Sequence, residues 1–143
     1  MVFYVLTATS LRYKVIRHKA ILYNDGRQDL VLHHNESGVH LEPLASFMEG
    51  GRSILKKEKH ECRDILQITD YYVKHENDEF NILFNNCEQF VNSFLNEIGE
   101  NVYIKSPQRD AIILTVLAVT GGLVFFLKKK FGWKLTNLIR TKK

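Results

Sequence analysis

The chain of 143 residues contains little cysteine and little proline. Two cysteines are too few for a disulfide scaffold or a four-cysteine zinc site, and two prolines with eight glycines exclude collagen-like and linker-type chains. The N-terminus lacks a basic segment followed by an apolar stretch, so no secretory signal peptide is predicted. A hydrophobic fraction of 45% with 25% charged residues predicts a packed domain rather than a disordered chain.

Acidic side chains are missing from residues 128–143, which hold seven of the 20 basic residues. The other 127 residues carry 13 basic and 16 acidic side chains, so a nucleic-acid footprint over the domain is not expected. Residues 111–127 form a run of 17 uncharged residues, and a helix of that length covers about 25 Å, near the lower limit for a bilayer core. We interpret 107–127 as a membrane anchor and 128–143 as a basic tail. A buried core helix is the alternative, although the run has no polar face.

Hydrophobic periodicity before residue 107 predicts a mixed α+β domain. We expect a short helix from Pro43 and a polar helix over 57–73 that packs Cys62, with strands at 3–7, 13–23, 30–34 and 80–84.

The turn signal Asn24-Asp25-Gly26 makes residues 13–34 a predicted hairpin. With an even loop centred on Asp25-Gly26, His18 would lie directly opposite His33 on one face of the sheet. His34 alternates with His33, so one of these two histidines is expected to be exposed.

The best-defined helix begins at Cys87. Asn86 is a good N-cap residue, and Gln89 at the third helical position can complete a capping box. Gly99 is placed to end the helix, whose apolar stripe consists of Phe90, Val91, Phe94, Leu95 and Ile98. At the first helical position, Cys87 faces backbone N–H groups that are expected to lower its pKa and to stabilise an oxyanion.

A thiol nucleophile needs a base, and His18 is the candidate because it lies on the apolar face of a predicted strand. Cys87, His18 and His33 could then serve as nucleophile, base and orienting group. The alternatives are a small packed cysteine and a hydrogen-bonded structural histidine. No histidine pair has the spacing of a known zinc site, so no metal is expected.

Residues 86–92, Asn-Cys-Glu-Gln-Phe-Val-Asn, closely resemble the Asn-Cys-Glu-His-Phe-Val signature of the lecithin:retinol acyltransferase-like family. Residues 17–21, Arg-His-Lys-Ala-Ile, followed by Asp-Gly and then Val-Leu-His at 31–33, resemble the His box of that family. Residues from 106 through the apolar run resemble the C-terminal anchor of its phospholipase A/acyltransferase branch.

Three departures from the family pattern concern the surroundings of the site. Gln89 stands in place of the usual histidine of the cysteine motif, and Lys19 in place of a common aromatic residue. Arg27, Gln28 and Asp29 lengthen the loop between the two histidines.

The resemblance implies a circularly permuted papain-like α+β fold for residues 1–106, with histidines on an antiparallel sheet and the cysteine at a helix start, plus a C-terminal transmembrane helix. It implies that Cys87 forms an acyl-thioester, that His18 is the general base and that His33 orients the base. Asn86 and Gln89 would support the helix start and the oxyanion.

The implied function is a membrane-anchored thiol phospholipase A1/A2 and acyltransferase without metal or organic cofactor. Its partners would be membrane phospholipids of the phosphatidylcholine and phosphatidylethanolamine class, with no nucleic acid. We predict a single-pass C-terminal anchor with a cytosolic domain, since a thiol enzyme needs a reducing compartment. The alternatives are a membrane-tethered interaction protein without turnover, as among viral proteins with these motifs, a retinol acyltransferase, and a thiol peptidase or amidase.

Overall fold

A computed structural model of the chain describes residues 1–11, 17–81, 86–100, 113–122 and 125. The elements follow along the chain in the order β1 (Val2–Thr9), β2 (Arg17–Asn24), β3 (Asp29–Asn35), β4 (Gly38–Pro43), α1 (Leu44–Met48), β5 (Ile54–Glu61), α2 (Ile65–His75) and α3 (Cys87–Glu97). The five strands form one antiparallel sheet in the order β4-β3-β2-β1-β5, which confirms the predicted α+β class.

Each face of the sheet carries its own apolar core, because side chains alternate between the faces along every strand. Helices α2 and α3 cover one face, where the buried residues include Phe3, Val5, Ile21, Leu32, Ile68, Phe90 and Phe94. Helix α1 covers the other face through Phe47, which packs with Leu6, Ala8, Ala20, Leu22 and Val31. His18 and His33 belong to the α1 face, and His34 belongs to the α3 face.

The hairpin of β2 and β3 exists as predicted, but its register differs from the prediction. The paired positions run from Asn24–Asp29 to Ala20–His33, so His18 lies two residues beyond the last pair instead of opposite His33. The loop holds four residues because the Asp25 carboxylate accepts hydrogen bonds from the N–H groups of Arg27 and Gln28. These bonds keep both residues out of the strand.

The polar helix predicted over 57–73 is wrong in its first half. Residues up to Glu61 form the edge strand β5, which pairs with β1, and the helix α2 begins only at Ile65. Cys62 therefore follows a strand rather than lying within a helix, although it is packed in the core as expected. The short helix near Pro43 is confirmed, with Pro43 as the N-cap residue of α1.

Helix α3 has both of the predicted terminal signals. The side chain of Asn86 accepts hydrogen bonds from the N–H groups of Glu88 and Gln89, and the side chain of Gln89 accepts one from the Asn86 N–H. Gly99 follows the helix with a φ of 92°, a backbone conformation that a side chain would strain. The first six residues of the helix are all buried, including the polar Glu88, Gln89 and Asn92.

The chain divides into two compact units, Met1–Gln108 and Arg109–Lys143. In the second unit, residues 113–122 are helical. Among the described residues, no helix has both the length and the apolar character needed to cross a membrane. Much of the predicted anchor (107–127), the whole basic tail (128–143) and most of the strand predicted at 80–84 lie outside the described residues.

Candidate active site

Two buried histidines meet at the start of β2. His18 Nε2 lies 3.0 Å from His33 Nδ1, which is a hydrogen-bond distance, and the two ring planes are nearly perpendicular. The contact is diagonal across the two strands, because His33 pairs directly with Ala20. A register two residues away from the expected one therefore still joins the two predicted histidines, since a shift of two positions keeps every side chain on its face.

The second ring nitrogen of His33 contacts a carboxylate. His33 Nε2 lies 2.7 Å from Glu42 Oε1 on the neighbouring strand β4. His33 has only 2% of its surface exposed, whereas the Glu42 side chain has 32% exposed, so the carboxylate connects the buried pair to solvent.

Phe47 and Arg52 enclose the histidine pair from the α1 side. The Phe47 ring lies 5.9 Å from the His18 ring and 5.0 Å from the His33 ring, measured between centroids. The Arg52 guanidinium carbon lies 4.4 Å from the centroid of the Phe47 ring, and Arg52 Nε donates to the Phe47 carbonyl. A buried cation thus holds the aromatic ring that packs against both imidazoles.

Cys87 contacts the backbone of β2 next to His18. Its Sγ donates to the Arg17 carbonyl at 3.9 Å, at the point where β2 extends past its last pairing with β3. The backbone N–H of Lys19 also faces the sulfur. The structure therefore joins His18 to His33 and places the thiol against the backbone on both sides of His18.

Burial determines the protonation states of these groups. Burial raises the pKa of the Cys87 thiol, and the Glu88 carboxylate beside it raises this pKa further, against the opposing effect of nearby N–H groups. The expectation of a lowered thiol pKa is therefore wrong, because desolvation outweighs the helix N-terminus. Burial lowers the pKa of His18 well below its usual range and that of His33 to about 4. The site at rest holds a neutral thiol beside neutral imidazoles.

The capping box limits the N–H groups that remain for an oxyanion. A helix leaves its first four N–H groups without an intrahelical partner. In α3, the side chains of Asn86 and Gln89 accept hydrogen bonds from three of these groups. Within the part of the chain that the structure describes, this leaves the N–H of Cys87 as the first-turn donor. Asn86 and Gln89 thus support the site through the helix start.

Lys19 lies next to this helix start. Its Nζ is 3.7 Å from Glu88 Oε1, and Glu88 is the neighbour of Cys87 in the chain. The partly exposed lysine thereby balances the charge of a nearly buried carboxylate.

His34 is buried, so the prediction that His33 or His34 would be exposed is wrong. The His34 ring packs edge-on against Phe80 and Phe90 on the α3 face, away from His33. Burial lowers the pKa of His34, against the opposing effect of the Asp78 backbone and carboxylate. Both faces of the sheet are covered by helices, so alternation along β3 does not bring either histidine to solvent.

Sequence reasoning missed Glu42, Phe47 and Arg52. The signal that was available is the turn at residues 35–38, where Asn35 accepts a hydrogen bond from the Ser37 N–H and Gly38 has a φ of 123°. Had this turn been recognised, β4 would have followed, and alternation would have put Glu42 on the same face as His33.

Comparison with known proteins adds nothing to this geometry. No protein-family model, curated protein or solved structure matches the chain. Any function must therefore be argued from the residues of the site.

Proposed function

We propose that the protein is a thiol acyltransferase or phospholipase A of the lecithin:retinol acyltransferase-like type, acting on glycerophospholipids from a circularly permuted papain-like domain. The observation that carries this proposal is the hydrogen-bonded pair of His18 and His33 next to a cysteine at a helix start. A nucleophile, a base and a group that orients the base are what acyl transfer through a thioester requires.

The arrangement supports a general-base mechanism rather than a preformed thiolate. In the resting geometry the thiol proton points to the Arg17 carbonyl. Since His18 Nε2 contacts His33, the ring nitrogen left to accept this proton is Nδ1. Activation thus requires the S–H bond to turn from the carbonyl to His18 Nδ1, which takes the proton as the sulfur attacks the ester carbonyl carbon.

The remaining steps again use the sulfur of Cys87 and the Nδ1 atom of His18. The tetrahedral oxyanion, held by the Cys87 N–H, collapses to a thioester as the ester C–O bond breaks, and protonated His18 gives its proton to the departing lysolipid oxygen. Water, an amine or a lysolipid hydroxyl then attacks the thioester carbonyl and loses its proton to His18. The acyl group leaves Cys87, which regains the proton.

The second candidate is a membrane-tethered interaction protein that keeps this fold without turnover. The burial of the thiol favours it, because Cys87 has only 4% of its surface exposed and its pKa is raised. The two candidates differ in one covalent species, the acyl-thioester.

The test is incubation of the protein with vesicles of phosphatidylcholine and phosphatidylethanolamine, followed by mass spectrometry of protein and lipid. We expect an acyl adduct on Cys87 and release of lysolipid. In Cys87→Ser both should fall by at least about 100-fold, because a hydroxyl is a weaker nucleophile and a much weaker acid than a thiol, so His18 can activate it less. Cys62→Ser removes the other buried thiol and should keep both products. Lysolipid release from Cys87→Ser at the wild-type rate would refute the mechanism.

A further inference from the structure

A continuous chain of side-chain contacts leads from Glu42 to His18. Glu42 Oε1 lies 2.7 Å from His33 Nε2, and His33 Nδ1 lies 3.0 Å from His18 Nε2. Glu42 is on β4 directly opposite Val31, so its side chain reaches His33 diagonally across the strand pair. The backbone ladder already holds β4 against β3, so this contact is not needed to align the strands.

The carboxylate determines where the proton of each imidazole resides. A carboxylate only accepts hydrogen bonds, so the proton of His33 must be on Nε2. A neutral imidazole has a single N–H, and His33 Nδ1 is therefore an acceptor. His18 Nε2 must then be the donor, which leaves the lone pair of His18 on Nδ1.

The charges around the pair keep His33 in the neutral form that this argument needs. Burial lowers the pKa of His33 to about 4, although Glu42 acts in the opposite direction. Arg52 and His40 also disfavour a positive charge on His33, and Arg52, His34 and His40 do the same for His18.

Without the carboxylate, the other tautomer of His33 becomes accessible. A proton on His33 Nδ1 would be donated to His18 Nε2, and the single proton of His18 would then be on Nδ1. In that state His18 cannot accept the proton of the thiol.

We propose that Glu42 is a positioning residue, which acts through His33 to keep His18 Nδ1 unprotonated and ready to accept the proton of Cys87. This inference rests on the proposed function for its catalytic meaning. The tautomer assignment is independent of any substrate.

The experiment is ¹⁵N NMR of the histidine rings in the full chain near neutral pH, where protonated and unprotonated ring nitrogens are resolved. In the wild type we expect His18 and His33 both to carry the proton on Nε2. In Glu42→Ala a second population with the proton on Nδ1 should appear for both rings. Glu42→Gln can still accept from His33 Nε2 through its amide oxygen, so its population should be intermediate.

A second readout is the rate at which iodoacetamide alkylates Cys87 as a function of pH. The rate near neutral pH should fall by about tenfold in Glu42→Ala, because base assistance by His18 is lost, and by less in Glu42→Gln. Glu100→Gln is the matched control, since Glu100 contacts His60 Nδ1 at 2.8 Å far from this site in the fold. It should change neither the tautomers of His18 and His33 nor the alkylation rate.

The outcomes separate this inference from the proposed function. Unchanged tautomers and an unchanged alkylation profile in Glu42→Ala would overturn the role of Glu42, whether or not the protein turns over lipid. Shifted tautomers would support that role even in a protein that forms no acyl-thioester, in which case the proposed function alone would fail.

Discussion

Buried imidazoles make the stability of this fold sensitive to acid. Burial lowers the pKa values of His18, His33 and His34 relative to the ordinary value of 6.5. In the unfolded chain the same side chains take up protons near pH 6.5, so the unfolded state binds more protons at lower pH. Stability is therefore fully present above about pH 6.5 and is lost as the pH falls toward the folded-state pKa values.

His34 gives the clearest test of this acid sensitivity because it does not belong to the chain of contacts that joins Glu42, His33 and His18. Each of the three histidines contributes up to about 1.4 kcal/mol of lost stability per pH unit between its two pKa values. His34→Phe should fit between Phe80 and Phe90 and remove one of these contributions. Urea unfolding at pH 7.5 and pH 5 should show a smaller difference for the variant, and an equal difference would contradict the assignment.

At the scale of single residues, the sequence predicted the groups that have a strong local signal. Cys87 follows from the capping pattern of its helix, and His18 and His33 follow from alternation along predicted strands. Glu42 could not be predicted in the same way, because its role depends on a cross-strand contact with β4. The protonation of Cys87 was also beyond the sequence, since it depends on how deeply the fold buries the thiol.

At the scale of elements, two helices begin with the same kind of side-chain cap but differ in their distance from the thiol. Asn86 caps α3 next to Cys87, and Asp64 caps α2 by accepting a hydrogen bond from the Gln67 N–H. Loss of either cap removes partners from helix N–H groups and costs stability.

This pair of caps supplies a matched experiment. Asn86→Ala and Asp64→Ala should each lower the free energy of unfolding by about 1 kcal/mol. Only Asn86→Ala should also slow formation of the acyl-thioester, because it releases the N–H groups that fix the first turn around Cys87. Chemical denaturation and mass spectrometry of the adduct measure the two effects. An equal loss of thioester in both variants would show that α3 capping matters only for stability.

The strand β5 shows why one element was mispredicted. Its residues 54–61, Ile-Leu-Lys-Lys-Glu-Lys-His-Glu, are mostly exposed, and the strand forms an edge of the sheet. Alternation appears only when one face is buried, so the pattern had no period of two to detect. Lysine and glutamate favour helix in isolation, and pairing with β1 overrides that preference.

At the scale of the whole molecule, the charge distribution separates the domain from its C-terminal segment. Residues 1–127 hold 13 basic and 16 acidic side chains, whereas residues 128–143 are purely basic. Electrostatic attraction alone should not hold the slightly acidic part on an anionic membrane. We therefore predict that the apolar run (111–127) and the basic tail (128–143) bind the membrane.

Truncation after Ser106 tests this assignment. The shortened protein should no longer float with liposomes, because it lacks 17 uncharged residues and tail charges that each add about 1 kcal/mol of attraction to anionic lipid. Its turnover of vesicle lipid should fall far more than its turnover of a short-chain, water-soluble ester. The full chain is the control. A truncated protein that still floats would show that residues 1–106 bind the membrane themselves. Loss of both activities together would show that the fold of the domain needs the C-terminal segment.

The turn at residues 25–28 selects between two hairpins that the hydrophobic pattern treats as equivalent. Sliding β3 by two positions would pair His18 with His33 and leave every side chain on its present face. Arg27 and Gln28 would have to join the strand, but their N–H groups are held by the Asp25 carboxylate. The slid pairing would also extend the ladder over the backbone that the thiol now contacts. Asp25, at the far end of the hairpin, thus selects one of the two possible strand pairings. The selected pairing leaves the backbone of β2 around Arg17 free to contact Cys87.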